Sequence, residues 1–165
     1  MTSMLSFVLQ NVPSEWESVT TYNSSYKLFD VQIHTREAEH VKAMFNSTLL
    51  SINTIRRVQN PFQYGRFKLR QEMVDSYSVN TVFHIVHLSD LETALKYTCD
   101  YRRYKQGYLS EGDNKQPRFY DNVQSVIFNL PASMINDICV LVVNKISGNT
   151  KTQSDYYIQY VVDFK

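Results

Sequence analysis

The segment Ile52–Met73 (INTIRRVQNPFQYGRFKLRQEM) decides the fold. Its first part, Ile52–Gln59, is rich in β-branched side chains and predicts a strand. Asn60-Pro61 follows directly. Asparagine caps the first turn of a helix, and proline at the first helical position lacks only an amide hydrogen that the helix does not use. The segment therefore predicts a strand, a tight junction and a helix as one supersecondary unit.

The predicted helix has an apolar face and a basic surface. The apolar face is predicted to comprise Phe62, Phe67, the stem of Arg70, Met73 and Val74. Basic side chains extend from the remaining helix surface and from the strand before it: Arg56, Arg57, Arg66, Lys68 and Arg70.

Length and composition predict a single folded domain over residues 1–165. A chain of 165 residues is long enough to bury about 70% of its unfolded surface. Hydrophobic residues make up 43% and aromatic residues 13% of the chain, which is typical of a folded globule and not of a disordered segment. The net charge is +1, so no overall field favours nucleic acid or anionic lipid, and any basic surface must be local.

The sequence predicts a soluble intracellular protein, in the nucleus or the cytoplasm, with no membrane contact. Cys99 and Cys139 are expected to be buried free thiols. The first residues, MTSMLSFVL, lack the regions of a signal peptide, and no run approaches the roughly 20 apolar residues of a membrane span. The oligomeric state, and whether the sequence is a whole protein or one domain, stay open.

The other predicted elements complete one α+β domain. Further strands are predicted over Ser6–Leu9, Lys27–Ile33, Thr81–Leu88, Asp137–Ile146 and Asp155–Phe164. Helices are predicted from Thr35 to about Leu50, from a Ser89–Glu92 capping box to about Tyr97, and from an Asp121 cap to Asn129. The most apolar strand, Asp137–Ile146, is expected to be central. The last strand is expected to place Tyr156, Ile158, Tyr160, Val162 and Phe164 on one side.

Several of these segments resemble the PARP-type ADP-ribosyltransferase catalytic domain, and most closely its small group with CCCH zinc-finger antiviral members. The motifs that carry the resemblance are Ile55–Phe62 with Tyr64, Phe67, Lys68 and Met73, then Val82-Phe83-His84, Cys99–Arg102 and Tyr157–Tyr160. The resemblance runs from Trp16 onward and implies a mostly antiparallel split sheet with flanking helices. Family members carry additional sheet where this chain has only a short interval between Ile146 and Tyr156. The late sheet region is therefore expected to be reduced, with an uncovered edge that could recruit partners.

The resemblance also implies a cleft for NAD, which the family holds with a histidine, a following glycine and a stacking tyrosine. His84 matches the histidine, but Ile85 replaces the glycine whose backbone pairs with nicotinamide, and its branched side chain is expected to obstruct the ring. Phe119 stands where the tyrosine is expected, with Tyr120 beside it, and no residue matches a third position from a late strand. The resemblance thus implies a vestigial, degenerate cleft and no cofactor. His84 and His87 face opposite sides of a strand and predict no metal site.

The function implied by the resemblance is a catalytically inactive domain that serves as a protein-interaction scaffold, by analogy in an RNA-defence or silencing complex. Aromatic residues dominate interface energetics, so a loop and the last strand are predicted to contact partners. The candidate contact residues are Tyr101, Tyr104, Tyr108, Tyr156 and Tyr160. The alternative is that these tyrosines fill the core.

Two other functions stay open. The first is an active mono-ADP-ribosyltransferase that uses NAD through His84 and Tyr120. The second is single-stranded RNA binding, in which basic side chains contact phosphates and neighbouring tyrosines stack on bases. The candidate basic residues are Arg56, Arg57, Arg66, Lys68, Arg70, Arg102 and Arg103.

Overall fold

The structure, a computed structural model, describes residues 11–19, 26–45, 51–74, 78–147 and 153–165. It is α+β, with a five-stranded antiparallel sheet and flanking helices. The strands are β1 (Lys27–Asp30), β2 (Ile52–Gln59), β3 (Val79–His87), β4 (Ile138–Ile146) and β5 (Tyr156–Phe164). The helices are α1 (Arg36–Phe45), α2 (Pro61–Met73), α3 (Leu91–Lys96), α4 (Gln124–Phe128) and α5 (Ala132–Ile135). None of the helices within these ranges is long and apolar enough to cross a membrane.

The β2–α2 unit forms as the sequence predicts. Strand β2 ends at Gln59, and the Asn60 side-chain oxygen accepts a hydrogen bond of 3.0 Å from the amide of Gln63. Pro61 is the first residue of α2, and Val74 follows its last turn. The junction is confirmed because its determinants are local: one capping side chain and one fixed proline φ.

The buried face of α2 differs from the prediction. Phe67 is 2% exposed, as expected, but Phe62 is 50% and Met73 is 73% exposed. The buried side instead includes Gln63, whose side-chain oxygen accepts from the Ile158 amide at 2.6 Å. A glutamine that satisfies a buried strand amide turns inward although it is polar, so the apolar pattern alone gave the wrong helix phase.

Two hydrophobic clusters lie on opposite faces of the sheet, because side chains alternate along each strand. Phe83 and Ile85 of β3 point into the cluster that packs under α1 and α4, which we call the α1 cluster. Val82 and Val86 point into the other cluster, which contains Ala94 and Leu95 of α3 and which we call the α3 cluster. His84 lies two residues from both Val82 and Val86, so its side chain points to the same face of the sheet, the one that packs on α3.

A β-bulge at Gln159 changes the prediction for β5. This residue lies between two successive pairs of β5 with β4, and the additional residue reverses the alternation. The five residues predicted to share one side are divided: Tyr156 and Ile158 lie with the α3 cluster, and Tyr160, Val162 and Phe164 with the α1 cluster. The order β1-β2-β5-β4-β3 makes β5 the middle strand, whereas β4, predicted to be central, lies beside it. The edge predicted in this region is therefore not an edge, because β5 pairs with β2 and β4.

Smaller differences from the prediction concern the boundaries of the elements. Strand β1 ends at Asp30, before the predicted end at Ile33. Helix α1 is described to Phe45, and the predicted Ser6–Leu9 strand and the end of the predicted helix near Leu50 lie outside the described residues. Helix α4 begins at Gln124, whose amide donates to the side chain of Asn122 at 2.8 Å, so Asn122 and not Asp121 supplies the cap.

The predicted capping box before α3 is wrong. Ser89, the predicted capping residue, lies inside a 3₁₀ turn (Leu88–Asp90), and its hydroxyl is 2.7 Å from His87 Nδ1. Asp90, directly before α3, makes no side-chain cap hydrogen bond. The Asp90 carboxylate accepts instead from the amides of Lys105 and Gln106 at 2.7 and 2.8 Å. Asp90 is 1% exposed, so its carboxylate fixes the following loop to the end of β3.

Candidate functional site

His84 lies at the centre of the predicted cleft and is fully buried, with 0% exposure. Its Nδ1 lies 2.9 Å from the carbonyl oxygen of Arg118, and its Nε2 lies 3.1 Å from the hydroxyl of Tyr104. A carbonyl oxygen can only accept, so Nδ1 must carry a proton and donate it. In the neutral ring Nε2 then accepts from the Tyr104 hydroxyl. Both ring nitrogens are therefore used within the protein.

Burial favours the neutral form of this ring. Desolvation lowers the pKa of His84 from 6.5 to about 4, against a smaller opposing effect of the hydrogen bond to Arg118. Burial likewise raises the pKa of Tyr104, whose hydroxyl stays protonated as the donor to His84. The pair is a fixed hydrogen bond between two neutral groups and not an acid–base pair poised near pH 7.

We expect His84 to make the protein less stable as the pH falls from 7 to 4. The unfolded chain takes up the proton at a pKa of 6.5 and the folded chain only near 4. Stability is therefore full above about pH 6.5 and is lost toward pH 4. A difference of 6.5 − 4 = 2.5, at about 1.36 kcal/mol for each pKa unit, corresponds to roughly 3 kcal/mol at pH 4.

Urea unfolding at pH 7 and pH 4 measures this loss for the wild type and for His84→Asn. The asparagine retains an amide donor for Arg118 and does not titrate. Carboxylates titrate in both proteins, so the loss assigned to His84 is the difference between the two. Equal losses in both proteins would contradict the assignment.

Aromatic rings fill the space around His84. The Phe119 ring lies 5.6 Å from the His84 ring and 5.0 Å from the Tyr156 ring, and the Tyr104 ring lies 5.9 Å from that of His84. Tyr120 lies elsewhere: its hydroxyl donates to the Leu109 carbonyl at 3.3 Å. Phe119 and Tyr104 therefore enclose His84, and Tyr120 does not contribute to this group.

The outer edge of β3 is covered by the loop that follows α3. Phe83 exchanges two backbone hydrogen bonds of 2.8 Å with Tyr120. Two residues further along, the Ile85 carbonyl accepts a hydrogen bond of 2.6 Å from the Ser110 hydroxyl, which is fully buried. The backbone carbonyl of Ile85 is thus already bonded within the protein.

The steric role predicted for Ile85 is wrong. Its side chain is 0% exposed and packs in the α1 cluster, on the face of the sheet opposite His84. Adjacent strand residues point to opposite faces, so this side chain does not fill space beside His84. Only the backbone of Ile85, and not its side chain, can therefore affect the predicted cleft.

The predicted partner-contact tyrosines separate into buried and exposed groups. Tyr156 and Tyr160 are 3% and 4% exposed, so these two contact predictions are wrong, and the alternative that they fill the core is confirmed. Tyr104 is half-buried, with its ring 5.9 Å from that of His84. Tyr101 is half-buried, and Tyr108 is 61% exposed, with its hydroxyl 3.6 Å from the Met134 sulfur.

Most of the predicted RNA-binding residues form ion pairs within the protein. Arg57 is buried and binds both carboxylate oxygens of Glu37 at 2.9 Å, so its prediction as a nucleic-acid contact is wrong. The other pairs are Arg56 with Asp163, Arg70 with Asp155, and both Arg102 and Arg103 with Asp100. The Arg102 hydrogen bond is the main cause that lowers the pKa of Asp100. Arg66 and Lys68 are exposed, and in the described part of the chain neither forms an ion pair.

A second, shallow cleft lies between the segment around Trp16 and β5. It is lined by Pro13, Glu15, Trp16, Arg57, Tyr157, Gln159 and Tyr160. The side-chain oxygen of Gln159 is buried there and has no hydrogen-bond partner among the described residues, while its nitrogen donates to the Tyr157 hydroxyl at 3.1 Å. Sequence reasoning missed this cleft because Gln159 reaches it through the bulge, which has no local sequence signal.

Metal binding finds no support in the described ranges, where no group of three His, Cys, Asp or Glu side chains lies in ligating arrangement. Cys99 and Cys139 are both buried and free, and burial raises the pKa of each thiol. No protein-family model matches the sequence, and no curated protein matches it either.

Proposed function

We propose that the chain is a catalytically inactive ADP-ribosyltransferase-like domain that acts as a scaffold for protein contacts. The proposal joins the motif resemblance to the state of the predicted cleft. Its setting, an intracellular RNA-defence or silencing complex, rests on the resemblance alone.

The observation that carries the proposal is the enclosure of His84. A histidine that holds a ribose hydroxyl needs a ring nitrogen that reaches the ligand. Here Nδ1 is bonded to the Arg118 carbonyl, Nε2 faces the Tyr104 hydroxyl, and the residue is fully buried. Ligand access would require the loop that carries Tyr104 and Phe119 to leave the sheet.

The backbone beside His84 supports the same conclusion. In the family, nicotinamide pairs with the main chain of the residue after the histidine. In this chain the Ile85 carbonyl takes the Ser110 hydroxyl at 2.6 Å. Asp90 fixes the same loop through two backbone amides. The residues present therefore do not fit NAD.

We expect no ADP-ribosyl transfer and no NAD binding. Purified protein is incubated with labelled NAD, with and without an added acceptor protein, beside an active transferase as the positive control. Thermal unfolding is followed with millimolar NAD, because a ligand at 100 times its dissociation constant adds about 2.7 kcal/mol of stability. Neither labelling nor a shift in Tm is expected.

The matched control is His84→Asn, which keeps a donor for Arg118 but removes the imidazole. Labelling of the wild type that disappears in His84→Asn would contradict the proposal and establish an active mono-ADP-ribosyltransferase. A shift in Tm without labelling would show a nucleotide-binding domain that has lost only its chemistry.

A further inference from the structure

The outer face of α2 carries an exposed apolar stripe. Phe62 is 50%, Leu69 is 54% and Met73 is 73% exposed, and Arg66 between them is exposed as well. At 3.6 residues per turn these four positions fall within about 60° of arc on the helix. We call this face the α2 stripe.

The α2 stripe is held rigidly outward by the opposite side of the same helix. Phe67 packs on Tyr157, with ring centroids 4.8 Å apart. Gln63 binds the Ile158 amide and the Thr98 hydroxyl, and Arg70 binds Asp155 at 2.7 Å. The helix cannot turn its apolar residues inward without breaking these buried contacts, so the stripe is a fixed surface.

The charge within the α2 stripe is positive, because Arg66 is the one charged residue among its four. Arg66 lies between Phe62 and Leu69 along the helix, and among the described residues its only hydrogen bond is a long one, 3.5 Å, to the Thr98 hydroxyl. The exposed carboxylate of Glu72 lies outside the stripe, on the far side of Leu69 from Arg66. Arg70 borders the stripe but is already paired with Asp155. A partner that covers Phe62, Leu69 and Met73 would therefore meet one guanidinium that no carboxylate of the described residues pairs with.

We propose that the α2 stripe binds an amphipathic helix of a partner protein with acidic side chains beside its apolar face. Two helices pack through rows of side chains three and four residues apart, which is the spacing of the α2 stripe. A carboxylate on the partner would form an ion pair with the Arg66 guanidinium. This inference rests on the proposed function as a protein-interaction scaffold.

Other occupants fit less well. A second copy in a two-fold arrangement would bring two Arg66 guanidinium groups toward one another. Single-stranded RNA needs aromatic stacking surfaces, and the α2 stripe has only Phe62. An interfacial membrane helix needs a polar face rich in Lys and Arg, whereas the opposite side of α2 is packed on the protein.

The experiment uses the intact chain and a displayed library of helical peptides with randomised surfaces. Peptides are selected on the wild type, and the strongest is synthesised for anisotropy measurements. The test variant is Phe62→Gln, Leu69→Gln and Met73→Gln together, because glutamine keeps helix propensity. The matched control is Ile33→Gln, Leu88→Gln and Phe128→Gln, three apolar residues of similar exposure outside α2.

The selected peptides are expected to carry apolar residues at helical spacing flanked by Glu or Asp. The test variant should weaken binding about tenfold or more, because apolar contacts provide most of the affinity, and the control should not. Arg66→Glu should weaken it about two- to fivefold, as one exposed ion pair does. A lysine-flanked version of the peptide should gain affinity for Arg66→Glu.

Four results would overturn the inference: no enriched peptide, no acidic excess, equal loss in the control, or unchanged binding to the test variant. Sedimentation of the protein alone tests self-association, and titration with a poly(U) oligonucleotide tests RNA binding. If the wild type self-associates or binds the oligonucleotide and the test variant does not, the occupant of the α2 stripe is a second copy or RNA, and not a partner helix. Labelling with NAD is measured on the same variants. Transferase activity with no peptide bound contradicts the proposed function, whereas inactivity with no peptide bound contradicts only this inference.

Discussion

Phe67→Ala is expected to lower the free energy of unfolding by about 3–5 kcal/mol, the usual loss when a buried phenylalanine is truncated in a core. Phe67 is 2% exposed and packs with Ile146, Tyr157 and Tyr64 where α2 meets the sheet. Truncation leaves a cavity that this small cluster cannot fill. In a domain of this size the loss corresponds to a fall in Tm of about 6–20 °C. Thermal unfolding and urea titration measure it.

Leu69→Ala on the same helix is the matched control. Leu69 is 54% exposed, so its truncation should change stability by no more than about 0.5 kcal/mol. Comparison of the two variants separates the loss of packing from a change in helix propensity, because each variant introduces a single alanine into α2. Similar melting curves for Phe67→Ala and the wild type would show that the helix is rotated relative to this structure.

The parts of the fold that the sequence predicts correctly depend on neighbours in the chain. The turn from β2 into α2 needs only Asn60 and Pro61, and both act on amides within one helical turn. The strands β3 and β4 are likewise recognisable from continuous runs of apolar and β-branched residues, and β5 from its alternating pattern. Local signals of this kind survive because no distant contact competes with them.

The parts that the sequence does not predict depend on distant partners. Gln63 turns inward because of the Ile158 amide, 95 residues away along the chain. The bulge at Gln159 reverses the faces of β5, and it is visible only in the pairing with β4. Hydrophobic periodicity is read within one element at a time, so it contains no information on either of these contacts.

The candidate site shows the same division. His84 is recognisable from the Val82-Phe83-His84 motif, but its bond to the Arg118 carbonyl is not, because the two residues lie 34 positions apart in the chain. The full burial of its ring likewise has no local signal. Tyr104 was predicted to contact a partner protein, but its hydroxyl faces His84. The loop that carries it is folded back by Asp90, a contact with no signature in either segment.

Arg57→Met is expected to destabilise the protein by about 3 kcal/mol, near the lower end of the range for breaking a buried ion pair. Arg57 in β2 binds Glu37 in α1 through two bonds of 2.9 Å, and the Tyr160 hydroxyl donates to the same carboxylate at 3.0 Å. Removing the guanidinium leaves Glu37 beside the core without a cation. The Glu37 side chain keeps 18% exposure, so residual hydration moderates the loss.

Adding Glu37→Gln to Arg57→Met should recover a large part of this stability. The amide removes the unpaired charge, and its oxygen can still accept from the Tyr160 hydroxyl. A double-mutant cycle from urea unfolding at pH 7 should therefore give a coupling energy well above that of an exposed pair, which is about 0.2–1 kcal/mol. This result would assign Arg57 to the packing of α1 on the sheet. Unchanged stability of Arg57→Met together with weaker binding of a poly(U) oligonucleotide would instead make Arg57 a nucleic-acid contact, because only a side chain free of Glu37 could be removed without cost to the fold.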